Sequence, residues 1–272
     1  MTVVIIEASY RSHTHIMRLT LLTCVCSIVA AATAAILDPR AAPQNFRSIS
    51  FNVRYAAPAS TYERPWSTRG PLVITQLKNS TTAATSTGSI PVIGLQEVLH
   101  QQLIDIKAGL GTSWAHLGTG RDDGKQAGEY VPLLYQTSVL KLASSTQKWL
   151  SPTPDAPSFW PGAGSRRYVI VAVFEVIKTG KRVIVANTHL DNASQTARVE
   201  GLKVALKSIR DAQTQSGVLP VILTGDFNSV SGAGDAYGTT VSDGLLSDLH
   251  SLAKQEQRFG PEGTFSGFEP GK

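Results

Sequence analysis

Cysteine is nearly absent from this sequence. Its 272 residues include 2, Cys24 and Cys26, both inside one apolar stretch near the start. A disulfide framework and cysteine-based zinc sites are therefore excluded from the rest of the chain. Histidine is also scarce, with 6 residues, which argues against a His/Cys metal cluster. Charged residues make up 17%, no run of four or more Lys or Arg occurs, and the formal net charge is +5. That surplus is dispersed, where strong nucleic-acid binders show basic clusters, so it leans slightly toward a smaller anionic substrate without requiring one. No apolar run reaches the about 20 residues of a membrane-spanning helix. No G-x-S-x-G occurs, so a serine-hydrolase elbow is not supported.

What is present is an ordinary globular balance, with 42% hydrophobic residues. That is enough to build one sizeable core. Leu19 to Ala35 contains only apolar, small and hydroxyl side chains, follows Arg11 and Arg18, and closes on Ala32-Thr33-Ala34. A basic flank, an apolar stretch and a small-residue end make a secretory signal peptide. The expectation is a leader over 1–35, a flexible Ala/Pro-rich stretch over 36–45 and one domain over 46–272. The product would be secreted, with no membrane anchor after cleavage.

Within the domain, strand-like and helix-like segments alternate without a linker or a repeat. Arg47–Tyr55 alternates polar and apolar residues, as a half-buried strand does. Ser89–Gln96, Tyr130–Tyr135 and Val218–Leu223 read as further strands. Pro71–Ala84 and Glu97–Leu110 read as helices, and Val199, Leu202, Leu206 and Ile209 keep helical spacing. Tyr168–Ile177 and Arg182–Leu190 flank Lys178-Thr179-Gly180-Lys181, a hairpin signal. Gly118–Gly128 is a glycine-rich polar loop and Ser151–Gly164 a proline-rich one. This mixture implies a single α/β domain.

Polar residues interrupt or follow the apolar strands at four places: Asn52, Glu97, His189, and the pair Asp226 and Asn228. Strand ends gather at one edge of a sheet, where ligands bind. Carboxylates with amide oxygens suit a hard ion such as Mg²⁺ or Mn²⁺, and a histidine beside them can contact a phosphate oxygen. Each residue alone has a plainer reading: a turn former, an acid favoured by a helix N-terminus, a satisfied core histidine. Together, all at strand ends, they favour a site.

The segments SFNVRY, IGLQEVLHQQL, GRDDGKQAGEYVPLLY, NTHLDNAS and ILTGDFNS, in this order, resemble the endonuclease/exonuclease/phosphatase superfamily, the deoxyribonuclease I-like phosphoesterases. The resemblance runs from about Arg47 onward. It implies a four-layered α/β sandwich, two β-sheets face to face with helices outside. It implies a hydrolase acting on phosphomonoesters or phosphodiesters of small phosphates, phospholipid head groups or nucleic acid, with Mg²⁺ or Mn²⁺ as cofactor; a monomer is the expectation, though nothing in the sequence fixes the oligomeric state. Glu97 and Asn52 resemble the metal-binding pair. His189, Asp226 and Asn228 resemble the catalytic set, with His189 and Asn228 also contacting phosphate. Glu129 stands where some members place a glutamate supporting a histidine, and Arg167 is a phosphate contact, with Arg166 equally placed. The sequence closes on GTFSGFEPGK, which implies a domain short of its final strands and of the Asp-His pair usual there. Ser247-Asp248-Leu249-His250 precedes that segment and reads as an exposed helix end or loop. The competing expectation is a non-catalytic binding protein on the same fold.

Overall fold

The computed structural model describes the backbone of residues 6–8 and residues 44–60, 63–230 and 235–260. Most of the expected leader, the start of the 36–45 stretch and the closing GTFSGFEPGK segment lie outside the described residues. In chain order the elements are β1 (Ile6–Ala8), β2 (Phe46–Asn52), α1 (Trp66–Ser86), β3 (Ile90–Gln96), α2 (His100–Leu110), β4 (Trp114–Leu117), β5 (Leu133–Gln136), β6 (Leu140–Trp149), β7 (Tyr168–Val176) and β8 (Arg182–His189). They continue with α3 (Gln195–Ser216), β9 (Val221–Asp226), α4 (Ala236–Ser242), β10 (Ser247–Asp248) and α5 (Leu249–Leu252).

The strands form two sheets, a six-stranded one in the order β10-β1-β9-β8-β7-β6 and a four-stranded one in the order β2-β3-β5-β4. Alternation along β7 shows how they stack. Val169, Val171 and Val173 turn outward onto Leu202, Leu206 and Ile209 of α3. Ile170, Ala172 and Phe174 turn inward onto Val92, Leu133 and Tyr135 of the small sheet. On the far side of that sheet, Ile93 and Leu95 meet Val73 and Leu77 of α1 and Leu103 and Ile106 of α2. Three apolar seams thus separate four layers, as the resemblance implied. Each fully buried Leu, Ile or Phe along them stabilises the fold by about 1.5–3 kcal/mol.

One polar cluster interrupts the central seam. The Asn187 Oδ1 on β8 accepts from Gln96 Nε2 at 2.9 Å and from Thr224 Oγ1 at 3.0 Å. Its Nδ2 donates to the Leu95 carbonyl at 2.8 Å. The three side chains come from both sheets, so these bonds fix how far one sheet can slide on the other. Gly94 leaves room for them: a Cβ there would lie 2.0 Å from Thr224 Oγ1 and 2.6 Å from Asn187 Oδ1.

β6 belongs to the sheet edge. Its middle is polar and exposed, and its register with β7 shifts between Leu142 and Ser144, a bulge of the kind that protects edges from further pairing. β1 pairs antiparallel with both β9 and β10, and so falls inside the stretch read as a leader. Asp248, at the end of β10, accepts from the His250 backbone N–H at 2.9 Å and from the Tyr237 hydroxyl at 2.8 Å, and His250 is exposed. The Ser247–His250 segment is a local helix cap, in line with its reading from sequence.

Candidate active site

Two parallel strand pairs, one in each sheet, end at the same place. β2 runs parallel to β3 with Asn52 opposite Gln96, which puts Asn52 beside Glu97. β8 runs parallel to β9 with His189 opposite Asp226. Side chains at the carboxyl ends of parallel strands face outward past the sheet, a natural place for a ligand. Ligand atoms of Glu97, His189 and Asp226 all lie within 4.8 Å of one another.

Asn52 joins the two halves. Its Nδ2 donates to Glu97 Oε1 and to Asp226 Oδ2, each at 2.8 Å, while its Oδ1 accepts from the Arg54 backbone N–H at 2.9 Å. In this arrangement Asn52 bridges the carboxylates through its amide N–H groups and does not point an oxygen at a shared ligand. Asp226 has no exposed surface. Burial raises its pKa to about 6, opposed by the bonds from Asn52 and the Asn228 backbone N–H and reinforced by the charge of Glu97. Asn228 donates its Nδ2 to the Leu190 carbonyl and to His189 Nε2, both at 3.0 Å. Because the Asn228 amide nitrogen is the donor, Nε2 is the accepting nitrogen and the ring proton sits on Nδ1. Burial, helped by Arg167 and Arg121, holds the His189 pKa well below its usual value, so the ring is neutral.

Backbone strain collects here. Among the described residues, the non-glycine positions with positive φ are Arg54 (59°), Glu97 (58°) and Asn228 (47°). Side chains rarely adopt that region, and its cost, on the order of 1 kcal/mol each, persists only where the surroundings impose it. All three lie immediately past strand ends, where the turn aims a polar group inward.

Glu129 lies on the other edge of His189, with Oε2 4.0 Å from Nδ1. That is too far for a hydrogen bond. The same oxygen accepts from Arg121 Nη1 at 2.6 Å, so Glu129 supports the arginine more directly than the histidine. Desolvation raises the Glu129 pKa, with Arg121 and Arg167 pulling it back. Arg167 is 8% exposed, donates Nη2 to Asn192 Oδ1 at 3.0 Å, and stands with Arg166 at the same end of the sheet. Asn52, Glu97, Glu129, Arg166, Arg167, His189, Asp226 and Asn228 thus gather at one end of the two sheets, whereas Asp248 and His250 belong to β10 and α5 at the edge of the larger sheet.

Three supporting residues were not singled out from the sequence. Arg54 lies 3.6 Å from Glu97 Oε2 and pairs with Glu63 at 2.8 Å. Asp191 accepts four backbone N–H groups, from Gly164, Ser165, Ala193 and Ser194, at 2.8–3.1 Å, tying the proline-rich loop to the end of β8. Arg198 on α3 reaches the Asp191 carbonyl at 3.2 Å and Asp235 at 3.1 Å. Asp191 sits inside the THLD segment, which was its only clue.

Comparison with solved structures gives a mannosyl-6-phosphatase, Bt3783, from Bacteroides thetaiotaomicron at 30% identity, covering 75% of this chain and 73% of that one with a TM-score of 0.67. An endonuclease/exonuclease/phosphatase from Bacteroides vulgatus matches at 32% identity over 74% of this chain and 72% of that one, TM-score 0.65. The chain belongs to the endonuclease/exonuclease/phosphatase family. The human Nocturnin catalytic domain, at 17% identity, 79% and 77% coverage and a TM-score of 0.59, shares the family fold. No family model matches the chain, and no curated protein does. The donors at the junction fit the family's divalent ion: two carboxylates held together, one of them fully buried, form a hard-oxygen set that a cation would relieve.

Proposed function

We propose that this chain is a divalent-metal-dependent phosphoesterase that hydrolyses a phosphoester by in-line attack of water. The observation that carries the reading is the junction itself, where Glu97 and Asp226, contributed by different sheets, are bridged by one asparagine. Glu97 and Asp226 would hold Mg²⁺ or Mn²⁺, which supplies positive charge to the phosphoryl oxygens as the transition state forms. Asn52 keeps the two carboxylates at a fixed spacing. Asp226, oriented by two donors, directs the attacking water. His189 and Asn228 close the buried side of the junction, the Asn228 amide and the neutral imidazole holding each other in place. The named activity of the Bacteroides thetaiotaomicron neighbour supports a sugar phosphate as the substrate class, and the modest charge surplus supports a small ester over a nucleic acid.

Turnover of mannose 6-phosphate and of a generic phosphodiester, with Mg²⁺ and with EDTA, tests the reading. Hydrolysis of either ester that EDTA abolishes supports it. No turnover of either, with Mg²⁺ binding retained, overturns it in favour of a binding protein.

We extend the proposal to export, on the strength of the Leu19–Ala35 stretch. Cleavage near residue 35 would remove β1 and leave β9 paired with β8 alone. The intact mass of secreted protein decides this: a start near residue 36 supports export by cleavage, and a retained residue 1 contradicts it.

A further inference from the structure

An arginine in the opening turn of a helix faces the positive end of the helix dipole, which disfavours it. Arg198 holds such a place, in the first turn after the Ser194 cap of α3. Its partners account for the position. Nε donates to Asp235 Oδ2 at 3.1 Å, Nη2 lies 3.1 Å from the same oxygen, and Nη1 donates to the Asp191 carbonyl at 3.2 Å. Asp191 lies just past β8, and Asp235 lies between β9 and α4. One guanidinium therefore grips the chain beyond both of the strands that deliver the buried half of the site. The Arg198 and Asp235 side chains are themselves largely buried, so solvent screens the pair little.

Asp235 passes this grip to the turn after β9. It stands at the N-cap of α4, where an aspartate ordinarily accepts from the first backbone N–H groups of its helix. Its side chain makes no such bond. The carboxylate turns instead to Arg198 and, through Oδ1, accepts from the Ser229 hydroxyl. Ser229 is buried and directly follows Asn228, whose backbone is left-handed at φ 47°. A non-glycine residue keeps that conformation only where its surroundings impose it, and the Ser229–Asp235–Arg198 chain is the constraint on its far side. Asn228 then serves both members of the buried pair. Its backbone N–H donates to Asp226 Oδ1 at 3.0 Å, and its Nδ2 donates to His189 Nε2 at 3.0 Å.

We propose that Arg198 is a positioning residue for the hydrolysis: it braces the turns after β8 and β9, and so holds Asn228 in the conformation that orients Asp226 and His189. It acts at a distance, through Asp235 and Ser229. This deepens the phosphoesterase reading and rests on it. The state of the His189 ring reports on the brace. With Asn228 in place, Nε2 accepts and the ring proton stays on Nδ1. Once Asn228 lets go, Nε2 is free to take the proton, drawn by the Asp226 carboxylate 3.7 Å away, and the tautomer changes.

The test uses the full-length protein, first in EDTA at neutral pH, where long-range ¹H–¹⁵N spectra of the His189 ring show which nitrogen carries the proton. Arg198→Met keeps the stem and removes the donors. Arg198→Lys keeps a cation beside Asp235 but has no fork to reach the Asp191 carbonyl as well, and it decides the matter if Arg198→Met does not fold. Leu206→Ala loosens the packing of α3 on β7 and leaves the brace intact. The proton should sit on Nδ1 in the wild type and in Leu206→Ala, and move in part to Nε2 in both Arg198 variants, further in Arg198→Met. With Mg²⁺ and mannose 6-phosphate, kcat should fall roughly 10²-fold in Arg198→Met and about tenfold in Arg198→Lys, with KM within about threefold of the wild type, the order of loss when a reacting group is misplaced by about 1 Å. A ring proton that stays on Nδ1 in the Arg198 variants, or a kcat loss no larger than that of Leu206→Ala, overturns the proposal. If the wild type hydrolyses no ester, the phosphoesterase reading fails, while the ring spectrum still judges the brace.

Discussion

The two parallel strand pairs that meet at the site end in opposite surroundings. The β2/β3 pair delivers Asn52 and Glu97 near the surface, with the Arg54 guanidinium 3.6 Å from the Glu97 carboxylate. The β8/β9 pair delivers His189 and Asp226 into the interior, where they are 3% and 0% exposed. There, burial holds the imidazole neutral and pushes the Asp226 carboxyl up to about 6. One pair presents a charge that solvent and a neighbouring cation already stabilise; the other stores a charge that nothing nearby stabilises fully. Such a site gains most from a cation at the boundary, because the buried member then recovers its lost solvation.

The largest effect should come from Glu97, the less buried of the two carboxylates. Glu97→Gln keeps the shape and removes the charge, and turnover should fall by roughly 10³-fold, the order seen when one preorganised electrostatic contact to a transition state is lost. Steady-state kinetics at saturating Mg²⁺ check this, and a loss below tenfold would make Glu97 peripheral.

The buried member should show itself in stability. Between the ordinary aspartate pKa and about 6, the folded state holds a proton that the unfolded state has released. Stability therefore falls as pH rises through that window and levels off above it. The shift corresponds to about 3 kcal/mol. Urea melts from pH 4 to 7.5 without metal should show this decline in the wild type and a flatter profile in Asp226→Asn. Glu97→Gln should narrow the window, since the charge of Glu97 is one cause of the shift.

The link between the pairs is the next target. Asn187→Leu would remove the acceptor that Gln96 Nε2 and the Thr224 hydroxyl share and the donor to the Leu95 carbonyl. A loss of about 2–4 kcal/mol follows, from unmet polar groups and misfit. Activity at a temperature where the variant is still folded should drop too, because the carboxylates sit on different sheets. Unchanged kcat would mean that the Asn52 bridge alone sets their spacing.

The smallest effect belongs to Arg54. Arg54→Gln removes a partly exposed cation beside Glu97, and such pairs are worth about 0–1 kcal/mol. Half-saturation by Mg²⁺ should shift a few-fold toward tighter binding.

The comparison also explains what was legible in the sequence. Strands buried on both faces, such as β3 and β9, stand out as apolar runs, and the polar residues at their ends mark the site. Edge and short strands do not. The middle of β6 is LASSTQ, half exposed and half partly covered, and reads as loop because only one face is covered. β4 has four residues, too few for periodicity. The left-handed backbone of Arg54, Glu97 and Asn228 is equally invisible, since none is glycine and the conformation is imposed by tertiary contacts. The role of Asn52 as a bridge depends on which way an amide faces. Arg166 and Arg167 were marked in the sequence, whereas Arg121 comes from a loop more than forty residues earlier and shares Glu129 with Arg167 only through folding.

The most direct test of a single site built from two sheets is Mn²⁺ binding followed by electron paramagnetic resonance in the wild type, Glu97→Gln, Asp226→Asn and the double variant. If both carboxylates hold one ion, either single change weakens binding strongly and the double change adds little beyond it. Additive losses, or tight binding that survives either change, would contradict the shared site.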